Sequence, residues 1–108
     1  MKLDRNIPGN NGRGKYAIVK LRKLKEFDSL TLETLKGALE LLEEYGVLDY
    51  GDTPKTEFFV LRLKDYFAQV ALTAYAKRAK SFDSEYAHEV SLLAARSGPD
   101  SLFCKTPE

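Results

Sequence analysis

Hydrophobic and polar positions divide the chain into five ordered segments. From Ser29 to Tyr45, Leu32, Leu35, Leu39 and Leu42 recur at helical spacing with Ala38 beside them, which predicts an amphipathic helix near 30–45. Asp28, Ser29 or Thr31 can cap its start, and Gly46 sits where a left-handed residue ends a helix. From Glu57 to Lys64, Phe59, Leu61 and Leu63 alternate with Phe58, Val60, Arg62 and Lys64, the period-two pattern of a strand. Asp65 then reads as the cap of a second helix, 66–80, whose alanines and aromatics nearly encircle it, so it is expected to be central. A third helix is expected over 84–96, with Tyr86, Val90, Leu93 and Ala94 inward and Gly98 and Pro99 as its stop.

The remaining segment, Tyr16 to Leu24, is ambiguous. Ile18 and Val19 are stiff in a helix and favour a strand, whereas Ala17, Leu21, Leu24 and Phe27 also fit a helical repeat. The strand reading is preferred. With Val47–Tyr50 as a possible third strand, the expected architecture is a single α+β domain, a two- or three-stranded sheet packed against three helices. Residues 1–14, rich in Gly, Asn and Pro, form a polar arm; 15–97 form the domain; 98–108 form a tail.

Charge changes this picture more than composition does. The chain has 108 residues and a net charge of +1, a balance that disfavours a bulk polyelectrolyte partner. Its distribution is uneven, with eight basic and one acidic side chain in residues 1–25 against two basic and nine acidic in 26–57. Either these blocks neutralise each other across the fold, or they form a basic and an acidic face that steer a partner. A single cysteine excludes an internal disulfide framework. No apolar run approaches the length of a membrane span, and the start does not read as a secretory signal, so a cytoplasmic protein is expected.

No motif assembles a catalytic or metal centre. Gly9, Gly14 and Lys15 fit the spacing of a phosphate loop, but Tyr16 stands where a magnesium-binding hydroxyl is needed. His88 and Glu89 begin a zinc-binding pattern whose second histidine is replaced by Leu92, and the chain has no other histidine. Cys104 and His88 are a thiol and an imidazole with nothing local to pair them. The expectation is a non-enzyme without metal or cofactor.

The basic and aromatic positions carry the most information. If the two long strands share a sheet, Tyr16, Lys20, Arg22, Phe58, Arg62 and Lys64 lie on one face, with Arg13 and Lys15 leading into it. Such a face can bind a protein partner or, as the alternative, stack bases and hold phosphates. The opposing reading is that the helices cover Phe58 and Val60 and only the Lys and Arg tips reach water. Glu33, Glu40, Glu43 and Glu44 form a separate acidic surface on the first helix.

Two resemblances follow. Leu39 to Leu48, running into Phe58 to Leu63, resembles the end of a winged-helix domain, a recognition helix followed by two wing strands. Its helix is acidic where a DNA-reading helix is basic, so the resemblance implies a shape used for protein contact. The whole chain also resembles small uncharacterised proteins of tailed phages and prophages, through Gly12 to Ala17, Glu57 to Asp65 and Phe103 to Glu108. That resemblance implies a phage-encoded protein in a bacterial cytoplasm, a class that often binds and inhibits host proteins. The functional expectation is a small, non-catalytic protein-binding module.

Overall fold

The three helices expected from the sequence form, and the sheet does not. The computed structural model describes residues 2–106. In chain order it contains α1 (Ser29–Glu44), α2 (Ala68–Ala79) and α3 (Ser84–Ala95), with short 3₁₀ turns at Asp4–Asn6, Leu21–Glu26 and Gly98–Asp100. Among the described residues there is no strand and only one isolated bridge, Asp65 with Lys105. The α+β expectation is therefore corrected to an all-helical architecture.

The reason is pairing. An alternating segment becomes a strand only when a neighbour takes its backbone groups. Residues 16–20 are irregular, and the chain then tightens into the 3₁₀ turn, so the ambiguous segment is neither a strand nor an α-helix. Residues 57–62 likewise lack regular structure, with Phe58, Phe59 and Val60 all exposed, so both faces of the alternation meet water. Val47–Tyr50 forms no strand either. The N–H groups of Val47 and Leu48 turn back to the Leu42 carbonyl at 2.9 and 3.1 Å. The wing strands implied by the winged-helix likeness are thus not formed.

The chain divides into two compact units, one built from the segment up to Ala17 with Val60 onward, the other Ile18–Phe59. In the first, α2 and α3 pack through small residues. The buried hydrophobic side chains are Ala68, Ala76, Ala87, Val90 and Ala94. Alanine seams let helix backbones approach closely, which suits a pair joined by four residues. Asp83 caps α3 by accepting the Tyr86 N–H at 3.0 Å, and that bond lowers the Asp83 carboxyl below its usual range. Beyond α3, the Gly98 N–H reaches the Leu63 carbonyl at 2.8 Å. Gly98 is left-handed, with φ 56°, and a Cβ there would stand 3.0 Å from the Tyr66 carbonyl oxygen. Gln69 donates to the Ala94 carbonyl and to Asp100 Oδ2 at 2.6 Å, and Tyr66 N–H to the Lys105 carbonyl at 3.0 Å. The buried Ser97 hydroxyl donates to Ala94 at 2.7 Å.

The start of the chain is tied to α3. The Leu3 N–H donates to Glu89 Oε2 at 2.6 Å, while the Lys2 ammonium lies 3.5 Å from Glu85 and 3.9 Å from Glu89.

In the second unit, Asp28 caps α1 by accepting the Thr31 N–H at 2.8 Å, which holds its carboxyl below the usual range. Gly46, at φ 73°, ends the helix as expected: its N–H bonds the Glu43 carbonyl while Val47 bonds Leu42. These are the paired bonds of a Schellman motif. No residue of 18–59 is buried.

Candidate functional site

The residues expected to share a basic face are divided between the units. Arg13, Lys15, Tyr16, Arg62 and Lys64 belong to the first, and Lys20, Arg22 and Phe58 to the second. No sheet joins them, so the premise of a common strand face is corrected. Each keeps its own setting. Tyr16 is 91% exposed, and Lys15, Arg13, Lys20, Arg22 and Arg62 are exposed. Lys64 is half-buried and its carbonyl accepts the Lys105 N–H at 3.0 Å. Phe58 is exposed along most of its ring, yet one edge occupies the space that a Cβ on Gly51 would take, and Gly51 is left-handed at φ 66°.

The loop with phosphate-loop spacing carries its own anion. Asp4 Oδ2 accepts the Lys15 N–H at 2.6 Å, and Asp4 Oδ1 accepts the Arg5 N–H at 3.0 Å. Its backbone carbonyl takes the Asn10 side-chain amide, and Gly14 lies against the carboxylate. The Lys15 bond holds the Asp4 carboxyl below its usual range. A phosphate loop offers its N–H groups to a ligand; here the one at Lys15 is already paired with a carboxylate.

The other chemical candidates are set apart. His88 is exposed on one side of α3, while Glu89 faces Leu3 and Lys2 on another. Cys104 is half-buried and does not line the groove on which His88 sits. Among the described residues no group of three or more His, Cys, Asp or Glu could hold a metal. No helix among them is long and apolar enough to cross a membrane.

Two surfaces stand out. The first is α1. Helical spacing gives it three faces. Leu32, Leu35 and Leu39 are half-buried. Glu33, Glu40, Glu43 and Glu44 are exposed, as expected. Between them runs a row of Leu30, Thr34, Gly37, Ala38, Leu41 and the cap residue Tyr45, all exposed, with Leu30 at 79% and Tyr45 at 76%. Around Gly37 nothing lies within 4 Å of where a Cβ would stand.

The second surface is a groove of about 560 Å³ along the α2–α3 seam. Its floor is Ala76, Ala87 and Ala94, all buried. Lys77 of α2 and its cap residue Lys80 line it on one side, and Ser84, His88 and Ser91 from α3, with no carboxylate in the lining. Sequence reading missed this groove because it treated the alanines of 66–80 only as a sign of a central helix. The available signal was the seven- and eight-residue spacing of Ala87 with Ala94 and Ala68 with Ala76, which marks a close helix seam.

Outside the groove's lining, the Tyr75 and Tyr86 hydroxyls share a hydrogen bond at 3.1 Å, with the rings edge-on at 6.2 Å. That bond, with burial, pushes Tyr86 up to about 12.

No protein-family model, curated protein or solved structure matches the chain.

Proposed function

We propose that this protein is a non-catalytic binding module that engages a protein partner through the exposed apolar row of α1. One observation carries the reading. A sixteen-residue helix and its cap residue present Leu30, Leu41 and Tyr45 to water in a single row, within a unit in which no side chain is fully buried. Apolar rows of this kind are where helix-in-groove contacts form. The adjoining glutamates would set orientation and association rate, and the apolar anchors most of the affinity. Their negative charge also makes this row a poor surface for nucleic acid. The likeness to small phage proteins supports this class of function by context alone.

The test is capture from bacterial lysate by the tagged protein, with and without nuclease, beside the variant Leu30→Asp/Leu41→Asp. The expected result is a stoichiometric protein band that survives nuclease and is lost in the variant, whose helical circular dichroism stays unchanged. Equal capture by the variant would remove α1 as the binding surface. Recovery that disappears with nuclease would transfer the function to nucleic acid.

A further inference from the structure

We infer that the exposed row of α1 seats in the α2–α3 groove of a second copy of this chain, so that the protein self-associates through its acidic helix and its basic groove. The inference rests on the protein-binding reading above and names the partner.

Shape supports it first. The groove has a floor of alanines and no large apolar side chain in its lining; its long side chains are the polar Gln69, Lys77, Lys80 and His88. A helix laid along it can approach closely, provided that it brings large side chains at its ends and small ones between. The α1 row has that order, with Leu30 at one end, Leu41 and Tyr45 at the other, and Gly37 and Ala38 in the middle. The space around Gly37 is open, and nothing in the helix's own surroundings calls for a missing side chain there. A close approach by another backbone does call for one. The dimensions agree as well: α1 is about 24 Å long, and the twelve residues of α2 give the groove about 18 Å.

Charge supports it independently. Glu33, Glu40 and Glu44 flank one edge of the row, and Lys77 and Lys80 line the groove with no carboxylate beside them. Glu43 and Glu44 also stand at the C-terminal end of α1, where the helix dipole disfavours anions and a cation would relieve them. The same charges disfavour an antiparallel symmetric pair of α1 helices, because their glutamates would lie along the same edge of the contact. Each copy carries one such helix and one such groove, so the contact either closes into a dimer or runs on as a longer assembly.

The experiment is sedimentation equilibrium of the full chain from about 10 μM to about 1 mM, at low and high salt, a range that brackets a weak specific contact. The wild type is expected to associate with rising concentration, and less so in high salt. Glu40→Lys/Glu44→Lys and Lys77→Glu/Lys80→Glu should each weaken association about tenfold or more, since each sets like charges together. All four positions are exposed, and circular dichroism checks that both variants keep their helices. Mixed one to one, the variants should associate with each other again, since the basic helix of one meets the acidic groove of the other.

A wild type that stays monomeric over the whole range would overturn the inference. So would association that neither charge reversal changes, or variants that fail to associate when mixed. A monomeric chain that still captures a lysate protein through Leu30 and Leu41 leaves the binding function standing and removes only its self-directed form. Association rescued by mixing, with no lysate protein captured, upholds the inference and limits the function to self-assembly.

Discussion

The two units of the molecule reach order by opposite routes. In the unit of α2 and α3, the sequence looks weak for a core: alanines, one valine and no large aliphatic fully inside. Yet it is tied across long sequence distances, from Leu3 to Glu89, from Gln69 to Asp100 and from Leu63 to Gly98. In Ile18–Phe59 the sequence looks strong, with the clearest helical repeat in the chain, and nothing there is buried. Its hydrogen bonds join near neighbours, as from Asp28 to Thr31 and Leu42 to Leu48. Amphipathic strength is a promise of burial, and burial itself depends on a second surface.

The contrast breaks most sharply at the alanine seam. Ala87→Leu should cost about 1–3 kcal/mol by overpacking a buried contact at 4% exposure. Amide hydrogen exchange would show it: slow amides in α2 and α3 of the wild type, faster in the variant, and fast exchange in α1 of both. Slow exchange in α1 at concentrations where the chain is monomeric would abolish the distinction between the units.

A smaller change sharpens the comparison from the other side. Gly37→Ala fills open space in the interior of α1 and should stabilise that helix by about 0.5–1 kcal/mol. Helical circular dichroism should rise, and the thermal midpoint of the α2–α3 unit should not move. A loss of helix would mean that Gly37 is required by the fold itself.

The smallest effect is confined to alkaline pH. Tyr86 is raised to about 12 by the Tyr75 hydroxyl, so its folded value lies above the ordinary one near 10. The stability this bond contributes is complete below pH 10 and is lost as pH rises through 12. Ultraviolet titration should show one tyrosine ionising late, and Tyr75→Phe should bring it back towards 10. A titration unchanged by that substitution would place the cause elsewhere.

Helices were legible in the sequence because their signals are local. Leu32 to Leu42, the Asp28 cap and Gly46 each act within a turn or two, and all three are realised. The sheet was misread because strand formation is not local. Phe58 to Lys64 alternates as a strand does, but among the described residues only its end is paired, Leu63 with Gly98 and Lys64 with Lys105, and no ladder forms along it. The grouping of the basic residues rests on the same pairing: Tyr16, Arg22 and Phe58 share a face only through a sheet, and none forms among the described residues. Glu33, Glu40, Glu43 and Glu44 depended on helix period alone, and they are exposed on α1 as expected. The α2–α3 groove escaped notice because small residues advertise a close approach only once the partner helix is known.

The Asp4 carboxylate has a practical consequence. It holds Arg5 on one side and Lys15 on the other, so the turn between them closes on itself without help from a ligand. A loop whose ends are already fastened is a place to graft sequence. Lengthening the stretch from Asn10 to Arg13 keeps the Asn10 amide on the Asp4 carbonyl and should carry the slow entropic cost of a longer closed loop, about 0.6 kcal/mol for each doubling, beside the loss of the Asn10–Arg13 turn bond. A foreign peptide displayed there would be presented beside Lys15, with both of its ends fixed by one aspartate.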